Sequence, residues 1–185
     1  MKKFYAVLTV LLLAASINYA QTGASAGVNL GLPMSEFGDI SNPGFGVSVQ
    51  LESFVAPKVS MYANLGLLLY SGKERSVSAT QTTKVGHTAY PLMAGIKVDL
   101  ISGLYVAVEG GVAYYQIKTS WTDNTAGGAV TTDVDRGEAK FGYGGGLGYL
   151  YPIMPTMDLD ISAKYQTMQD KYNTVQIRAA VRFGL

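Results

Sequence analysis

The stretch Thr174–Leu185, TVQIRAAVRFGL, alternates two kinds of side chain along its whole length. One parity is apolar and consists of Val175, Ile177, Ala179, Val181, Phe183 and Leu185. The other parity consists of Thr174, Gln176, Arg178, Ala180, Arg182 and Gly184. Because successive side chains on a β-strand point to opposite faces, this period of two predicts a strand with one apolar face and one polar face.

The same alternation recurs in seven earlier stretches of the chain. The predicted strands, with the last one, are 24–32, 44–55, 59–71, 88–100, 104–118, 139–151, 157–167 and 174–185. A tilted strand needs ~9–11 residues to cross a bilayer, and these lengths meet that need. The pattern therefore predicts an all-β protein, an eight-stranded antiparallel up-and-down transmembrane β-barrel.

The two faces of these strands differ in charge. The apolar face carries none, and its aromatic residues near strand ends predict two girdles at the membrane surfaces, formed by Phe45, Tyr90, Tyr114, Phe141, Tyr143, Tyr149, Tyr151, Tyr165 and Phe183. The polar face carries five acids and five bases, predicted to form a lumenal charge network of Glu52, Lys97, Asp99, Glu109, Lys140, Asp158, Asp160, Lys164, Arg178 and Arg182.

A soluble lipocalin-type barrel alternates as well, with its polar face outward. The glycines of one strand, Gly142, Gly144, Gly146 and Gly148, lie on the polar face and favour a narrow lumen over a solvated surface. The neighbouring strand points Tyr105 and Tyr115 to the same face, and we expect their rings to lie where the glycines leave space.

The links between the predicted strands alternate in length. Short ones at 56–58, 101–103 and 152–156 contain Pro or Gly, whereas longer polar links cover 33–43, 72–87 and 119–138, with a shorter one at 168–173. Outer-membrane barrels have short periplasmic turns and long extracellular loops. The even strand number then predicts both termini in the periplasm.

The N-terminus has the pattern of a secretory signal peptide: Lys2 and Lys3, an apolar run from Phe4 to Ala15, and small residues before Gln21. We predict a signal peptide at 1–20, cleaved after Ala20 or alternatively after Ser16, and a barrel domain at 21–185. Removing Lys2 and Lys3 leaves 12 of the 14 basic residues against 13 acidic ones, a net charge of −1. This balance argues against nucleic acid as a partner.

No catalytic centre, metal site or cofactor site is predicted. The chain has no Cys, and its single His, His87, is interpreted as a solvated rim residue. A Ser–His hydrolase would have to combine His87 with Ser71, Ser76 or Ser78 and an orienting Glu74 or Glu138. The acids Asp123, Asp133, Asp135 and Glu138 lack the spacing of a calcium loop.

The chain resembles the small outer-membrane β-barrel family, the porin-like OmpA/OmpX type of Gram-negative bacteria. The resemblance rests on the leader before the first strand, the run Asn42–Gly46 (NPGFG), the glycine-rich strand and the final strand, and Gln21 suggests a Bacteroidetes-type member. It implies an outer-membrane location and insertion by the barrel-assembly machinery. Two features depart from the family: the last residue is Leu185 rather than Phe, and no peptidoglycan-binding domain follows, so a wall tether is not implied.

Five acids and five bases permit complete ion pairing in a narrow lumen, where an unpaired charge would cost several kcal/mol. The predicted function is therefore non-enzymatic: an integral outer-membrane barrel with an ion-paired, largely plugged lumen, serving envelope structure or surface interaction. The expected partners are outer-membrane lipid and lipopolysaccharide, with an unknown surface ligand at loops 72–87 and 119–138. The alternatives are a narrow porin-like solute channel and, third, a lipid-modifying enzyme.

Overall fold

A computed structural model describes residues 22–76, 81–125, 128–169 and 172–184. The predicted signal peptide 1–20 and the C-terminal Leu185 lie outside the described residues. The signal peptide and the outward position of Leu185 therefore remain sequence predictions. Among the described residues, no helix has the length and apolar character that crossing a bilayer requires.

The described chain is almost entirely β-strand, with one short helix. The elements are β1 (Thr22–Met34), α1 (Ser35–Ile40), β2 (Ser41–Ala56), β3 (Val59–Gly72), β4 (Glu74–Ser76), β5 (Gln81–Ile101), β6 (Leu104–Thr125), β7 (Gly128–Met154), β8 (Met157–Met168) and β9 (Tyr172–Gly184). The predicted link 33–43 thus contains a helix, where a polar loop was expected.

The strands close into a barrel of eight antiparallel members, which confirms the predicted fold. Each strand pairs with its sequence neighbour, β3 pairs with β5, and β9 pairs with β1 to complete the ring. β4 stands apart from this ring, because it pairs only with the first residues of β5. Closure removes the free strand edges within the ring.

Three tight turns join strands at one end of the barrel, which we call the turn end. The turn between β5 and β6 has positive φ at Ser102 (43°) and Gly103 (86°), and the turn between β2 and β3 has Lys58 at 66°. Positive φ values match the twist of a two-residue hairpin connection. We call the opposite end, where β5, β6 and β7 run on beyond the ring, the hairpin end.

The segments 72–87 and 119–138, predicted as polar loops, consist largely of strand. β6 and β7 stay paired from Leu104 opposite Tyr149 up to Thr125 opposite Gly128. The β-branched residues found here, among them Thr119, Thr132 and Val134, suit a strand, and the pairing partner supplies the hydrogen bonds that a polar composition does not reveal. With β4 and the start of β5 these extensions form a four-stranded protruding sheet, covering 74–76, 81–89, 115–125 and 128–141.

Side-chain burial follows the parity of the strands. Apolar residues of one parity are exposed, such as Val108 at 63% and Phe45 at 69%, whereas residues of the other parity are buried inside the ring. An apolar exterior around a polar interior reverses the arrangement of a soluble barrel and suits hydrocarbon. The membrane-spanning segments are the parts of the eight ring strands between the outward aromatic residues at the two ends.

Candidate functional site

Arg178 of β9 lies at the centre of the first of two buried polar clusters in the lumen. Its side chain is 1% exposed. Nη1 donates to Oδ2 of Asp160 at 3.1 Å, Nη2 donates to Oγ of Ser25 at 2.7 Å, and Nε donates to Oγ of Ser48 at 3.0 Å. One guanidinium therefore links four strands, β9, β8, β1 and β2, and uses the planar fork of donors that a lysine lacks.

Lys97 of β5 extends the same cluster across the lumen. Its Nζ lies 2.8 Å from Oε2 of Glu52 and 3.8 Å from Oδ2 of Asp160. The ammonium also sits 4.3 Å from the ring centroid of Tyr105, whose hydroxyl donates to Asp160 at 2.6 Å. Ser60 donates to the second oxygen of Glu52 at 2.7 Å. The buried charges are thus paired and hydrogen-bonded, as burial requires.

At the turn end the cluster becomes more open. Arg182 lies opposite Asp158 in the β8–β9 ladder, with 3.0 Å between Nη1 and Oδ2, and 3.6 Å between Nε and Oε2 of Glu52. The exposed fractions of the Arg182 and Asp158 side chains are 12% and 26%, so water reaches this pair. Asp99, the other acid of this end, is half-buried and lies opposite Tyr105.

The second cluster surrounds Glu109 of β6. Its carboxylate accepts hydrogen bonds from Nζ of Lys164 at 2.7 Å, from the hydroxyl of Tyr62 at 2.7 Å and from Nε2 of Gln166. Lys140, the last of the predicted network residues, belongs to neither cluster. It lies near the hairpin end, 3.1 Å from the carboxylate of Glu138.

The expected fit of tyrosine rings against inward glycines holds at one of two positions. A Cβ at Gly148 would lie 2.3 Å from the ring of Tyr105, so that ring depends on glycine opposite it. Tyr115 is different: it lies opposite Glu138 and packs with Phe37 and Tyr172 at the hairpin end. The expectation for Tyr115 was wrong because the sequence did not reveal the aromatic partners that α1 and the start of β9 supply.

His87 is buried, and its interpretation as a solvated rim residue was wrong. It is 3% exposed, its Nδ1 lies 3.0 Å from Oγ of Ser41, and its ring packs against Phe37 of α1. His87 lies on β5 three residues beyond the outward Tyr90, toward the hairpin end and outside the membrane-spanning segment. Burial lowers the pKa of His87 from its usual range, while the charge of Glu138 acts in the opposite direction.

All nine residues of the predicted aromatic girdles are exposed and belong to the outward parity: Phe45, Tyr90, Tyr114, Phe141, Tyr143, Tyr149, Tyr151, Tyr165 and Phe183. Tyr90 and Tyr114 lie opposite each other on β5 and β6, with ring centroids 6.4 Å apart. Tyr149 and Tyr151 of β7 lie toward the turn end. Amphipathic rings in these positions suit the two boundaries of a bilayer.

Sequence reasoning missed the polar partners of the lumen charges, above all Ser25 and Tyr62. Their inward parity was the only signal, and parity does not say which side chains meet across a barrel. In the described part of the chain, no group of three or more His, Asp or Glu side chains is placed to hold a metal ion.

The model of the outer membrane protein beta-barrel domain family matches residues 4–183. The chain belongs to this family. Its outer-membrane barrel nature and its location in the outer membrane follow from that membership together with the closed eight-stranded ring. No curated protein matches the sequence.

Solved structures with the same fold include two outer-membrane proteins of distant sequence. The attachment invasion locus protein Ail of Yersinia pestis, in complex with the heparin analogue sucrose octasulfate, superposes with a TM-score of 0.58 at 16% identity, covering 89% of this chain and 99% of that one. A major outer membrane protein of Thermus thermophilus has a TM-score of 0.58 at 14% identity, covering 91% and 100%. At such identities the likeness concerns the fold.

Proposed function

We propose that this protein is a non-enzymatic, non-conducting outer-membrane anchor that presents its protruding sheet at the cell surface for binding an extended protein segment. Two features of the molecule support this role. The charged side chains of the lumen are paired, and segment 128–141 of β7 has an open edge.

The observation that carries the proposal is the free edge of β7. β6 pairs with β7 as far as Gly128, whereas β8 begins to pair with β7 only at Gly142. Within the described residues, the segment 128–141 therefore has a neighbouring strand on one side only. An edge of unpaired backbone groups is a template for strand addition by another chain.

The direction of the free backbone groups follows from one hydrogen bond. The N–H of Phe141 points toward the β8 side, where it donates to Oε1 of Gln169 at 3.4 Å. Backbone N–H groups of alternate residues point to the same side of an antiparallel strand, so the N–H of Asp135 faces the open edge. Asp135, Arg136 and Gly137 are exposed. Charges on an edge limit indiscriminate pairing, which favours a selected partner.

The closed lumen rests on the paired charges. Arg178, Lys97 and Lys164 each meet a carboxylate within 3.1 Å, and tyrosine rings occupy the space between them. Eight strands enclose an interior that side chains just fill. An ion would have to separate these pairs to pass, and separating buried pairs is unfavourable.

The short connections of the turn end favour a periplasmic position for that end and for both termini, with the hairpin end outside. The exposed apolar belt then contacts outer-membrane lipid and lipopolysaccharide. Ail is the attachment invasion locus protein, a name that denotes attachment. The sheet edge of this chain would serve a comparable contact role.

The binding edge is tested with two variants displayed on whole cells. Asp135→Pro removes the backbone N–H from the open edge and leaves the β6 ladder intact, whereas Asp135→Ala removes the same carboxylate and keeps the N–H. Adhesion to immobilised matrix proteins and epithelial monolayers should exceed that of cells lacking the protein, fall with Asp135→Pro and persist with Asp135→Ala. Equal adhesion of all strains contradicts the proposal.

The closed lumen is tested by planar-bilayer recording of the refolded barrel. The proposal expects no steady unit conductance. A fixed unit conductance would establish the narrow channel in its place. A change in the lipid A mass spectrum on expression of the chain would point instead to a lipid-modifying enzyme.

A further inference from the structure

The mouth of the barrel at the hairpin end is filled by one side chain of α1. Phe37 is 2% exposed. Its ring meets Tyr70 edge-on at a centroid distance of 5.1 Å, His87 at 5.3 Å and Tyr172 at 4.9 Å. These partners belong to β3, β5 and β9, so Phe37 joins strands from around the ring.

Backbone hydrogen bonds secure the C-terminal end of α1: the N–H of Lys73 donates to the carbonyl of Ile40 at 3.0 Å, and the N–H of Ser41 donates to the carbonyl of Phe37. The helix has six residues, and its N-cap Met34 makes no side-chain capping bond. Ser35, where it begins, has a φ of 53°, which is unfavourable for a residue with a Cβ. Its tethers to the rest of the mouth include the bond from Nζ of Lys73 to the carbonyl of Gly38 at 2.6 Å. Phe37 is the buried residue of α1, and its burial adds an apolar contact to these bonds at the end of the helix that has no side-chain cap.

His87 touches both Phe37 and the residue that directly follows α1. Its ring packs against Phe37, and its Nδ1 pairs with Oγ of Ser41, the first residue of β2. Since Phe37 lies within α1 and Ser41 directly follows it, a change at His87 acts on α1 at two points.

We propose that α1 is a lid on the barrel mouth and that His87 is its latch: the lid is closed while the imidazole is neutral and opens when the imidazole takes up a proton. The lid and its latch belong to the mouth alone and do not depend on a partner bound to the protruding sheet.

The surroundings of His87 oppose a positive charge. The ionisable groups on the elements packed around it include Glu36 and Asp39 of α1, Tyr70 of β3, Lys73 after β3, Tyr115 and Lys118 of β6, Asp135, Glu138 and Lys140 of β7, and Tyr172 of β9. Glu138 is the acid whose charge favours protonation of His87, and its Oε2 already lies 3.1 Å from Nζ of Lys140. The ammonium of Lys140 lies 4.9 Å from the ring centroid of Tyr172, which itself packs on His87.

The direction of the pH effect follows from desolvation. Burial lowers the pKa of His87 in the closed mouth, and opening the lid to water restores the ordinary value of about 6.5. The open state thus binds more protons. The closed state is favoured above about pH 6.5 and loses stability as the pH falls from there toward the lowered pKa.

The test uses the full chain refolded in liposomes, and it exploits the absence of cysteine from the sequence. A single thiol from Ala113→Cys lies in the cluster behind Phe37, at a position that is 0% exposed. Its reaction rate with 4,4′-dithiodipyridine, which does not require an alkaline pH, is divided by that of Ser102→Cys on the exposed turn. Ala180 is buried in the lumen, with 2% of its surface exposed, so a thiol from Ala180→Cys reports general loosening of the barrel.

We expect the rate ratio for Ala113→Cys to rise about tenfold per pH unit below about 6.5, in line with one proton per opening. Ala180→Cys should stay slow. Adding His87→Gln should make the ratio independent of pH, and adding Phe37→Ala should make it high throughout. Folding of each variant is checked by heat-dependent migration in detergent gels.

Three results overturn the inference: a flat ratio in the otherwise native chain, an acid-induced rise that persists with His87→Gln, or an equal rise at Ala180→Cys. If His87→Gln does not fold, Glu138→Gln replaces it. That change removes the acid that favours protonation in the closed mouth and leaves the open-state value unchanged, so the rise should still begin near pH 6.5 and continue to a lower pH before it levels off. A rise that levels off at the same pH as in the otherwise native chain contradicts the latch.

Discussion

Arg178 and Asp160 form their ion pair diagonally across the β8–β9 ladder. Nη1 lies 3.1 Å from Oδ2, yet the residue opposite Arg178 is Ser162 and the residue opposite Asp160 is Ala180. Arg182 and Asp158, by contrast, are direct opposites. The two arginines of one strand therefore differ in burial, at 1% and 12% exposure, and in the number of strands they join.

This difference predicts unequal costs of removing the two arginines. Arg178→Met should lower the free energy of unfolding by about 3–5 kcal/mol, because it leaves Asp160 buried with one cation fewer. Arg182→Met should cost much less, because water reaches its partner Asp158. Urea titration in liposomes measures both variants, and equal losses would contradict the assignment of Arg178 as the central residue.

The assignment of the outward face to lipid is tested with arginine substitutions on that face. Val108 and Ile177 are exposed on β6 and β9 between the girdles. Val108→Arg and Ile177→Arg should each cost ~2–4 kcal/mol near the bilayer midplane, whereas Val108→Leu should be close to neutral. Unchanged unfolding of both arginine variants would show that these side chains do not face acyl chains.

The contact between Gly148 and Tyr105 predicts that substitutions at these two positions have coupled effects on stability. Gly148→Val would place its side chain where the ring lies, and would displace the hydroxyl that donates to Asp160. We expect Gly148→Val to destabilise the native barrel and to cost less in a Tyr105→Ala background. The difference in a double-mutant cycle should be about 1–3 kcal/mol. Additive losses would mean that the ring does not depend on this glycine.

The orientation is tested by labelling intact cells with a membrane-impermeant maleimide. Because the sequence contains no cysteine, Lys118→Cys on the protruding sheet and Ser102→Cys at the turn end provide single sites. We expect rapid labelling of Lys118→Cys, and labelling of Ser102→Cys only after the outer membrane is permeabilised. The reverse result would invert the proposed topology.

Strand parity and the fold were determined by the sequence itself. In Thr174–Leu185 and the seven stretches like it, the period of two places each side chain on a face, and the absence of charge from one face identifies the side that meets lipid. These are local properties of the backbone and of solvation, so neighbouring residues suffice to reveal them. The predicted barrel and its exposed aromatic residues required no knowledge of the tertiary structure.

The tertiary structure decided which side chains meet. The diagonal pairing of Arg178 with Asp160 depends on the register between two strands, and the reach of Lys97 to Asp160 depends on ring closure. Residues 119–125 and 128–138 are strand because β6 and β7 satisfy each other's hydrogen bonds, although their composition resembles a loop. His87 is buried because α1 folds over it and inserts Phe37. Each of these features arises from contacts between distant parts of the chain, which residue order alone does not specify.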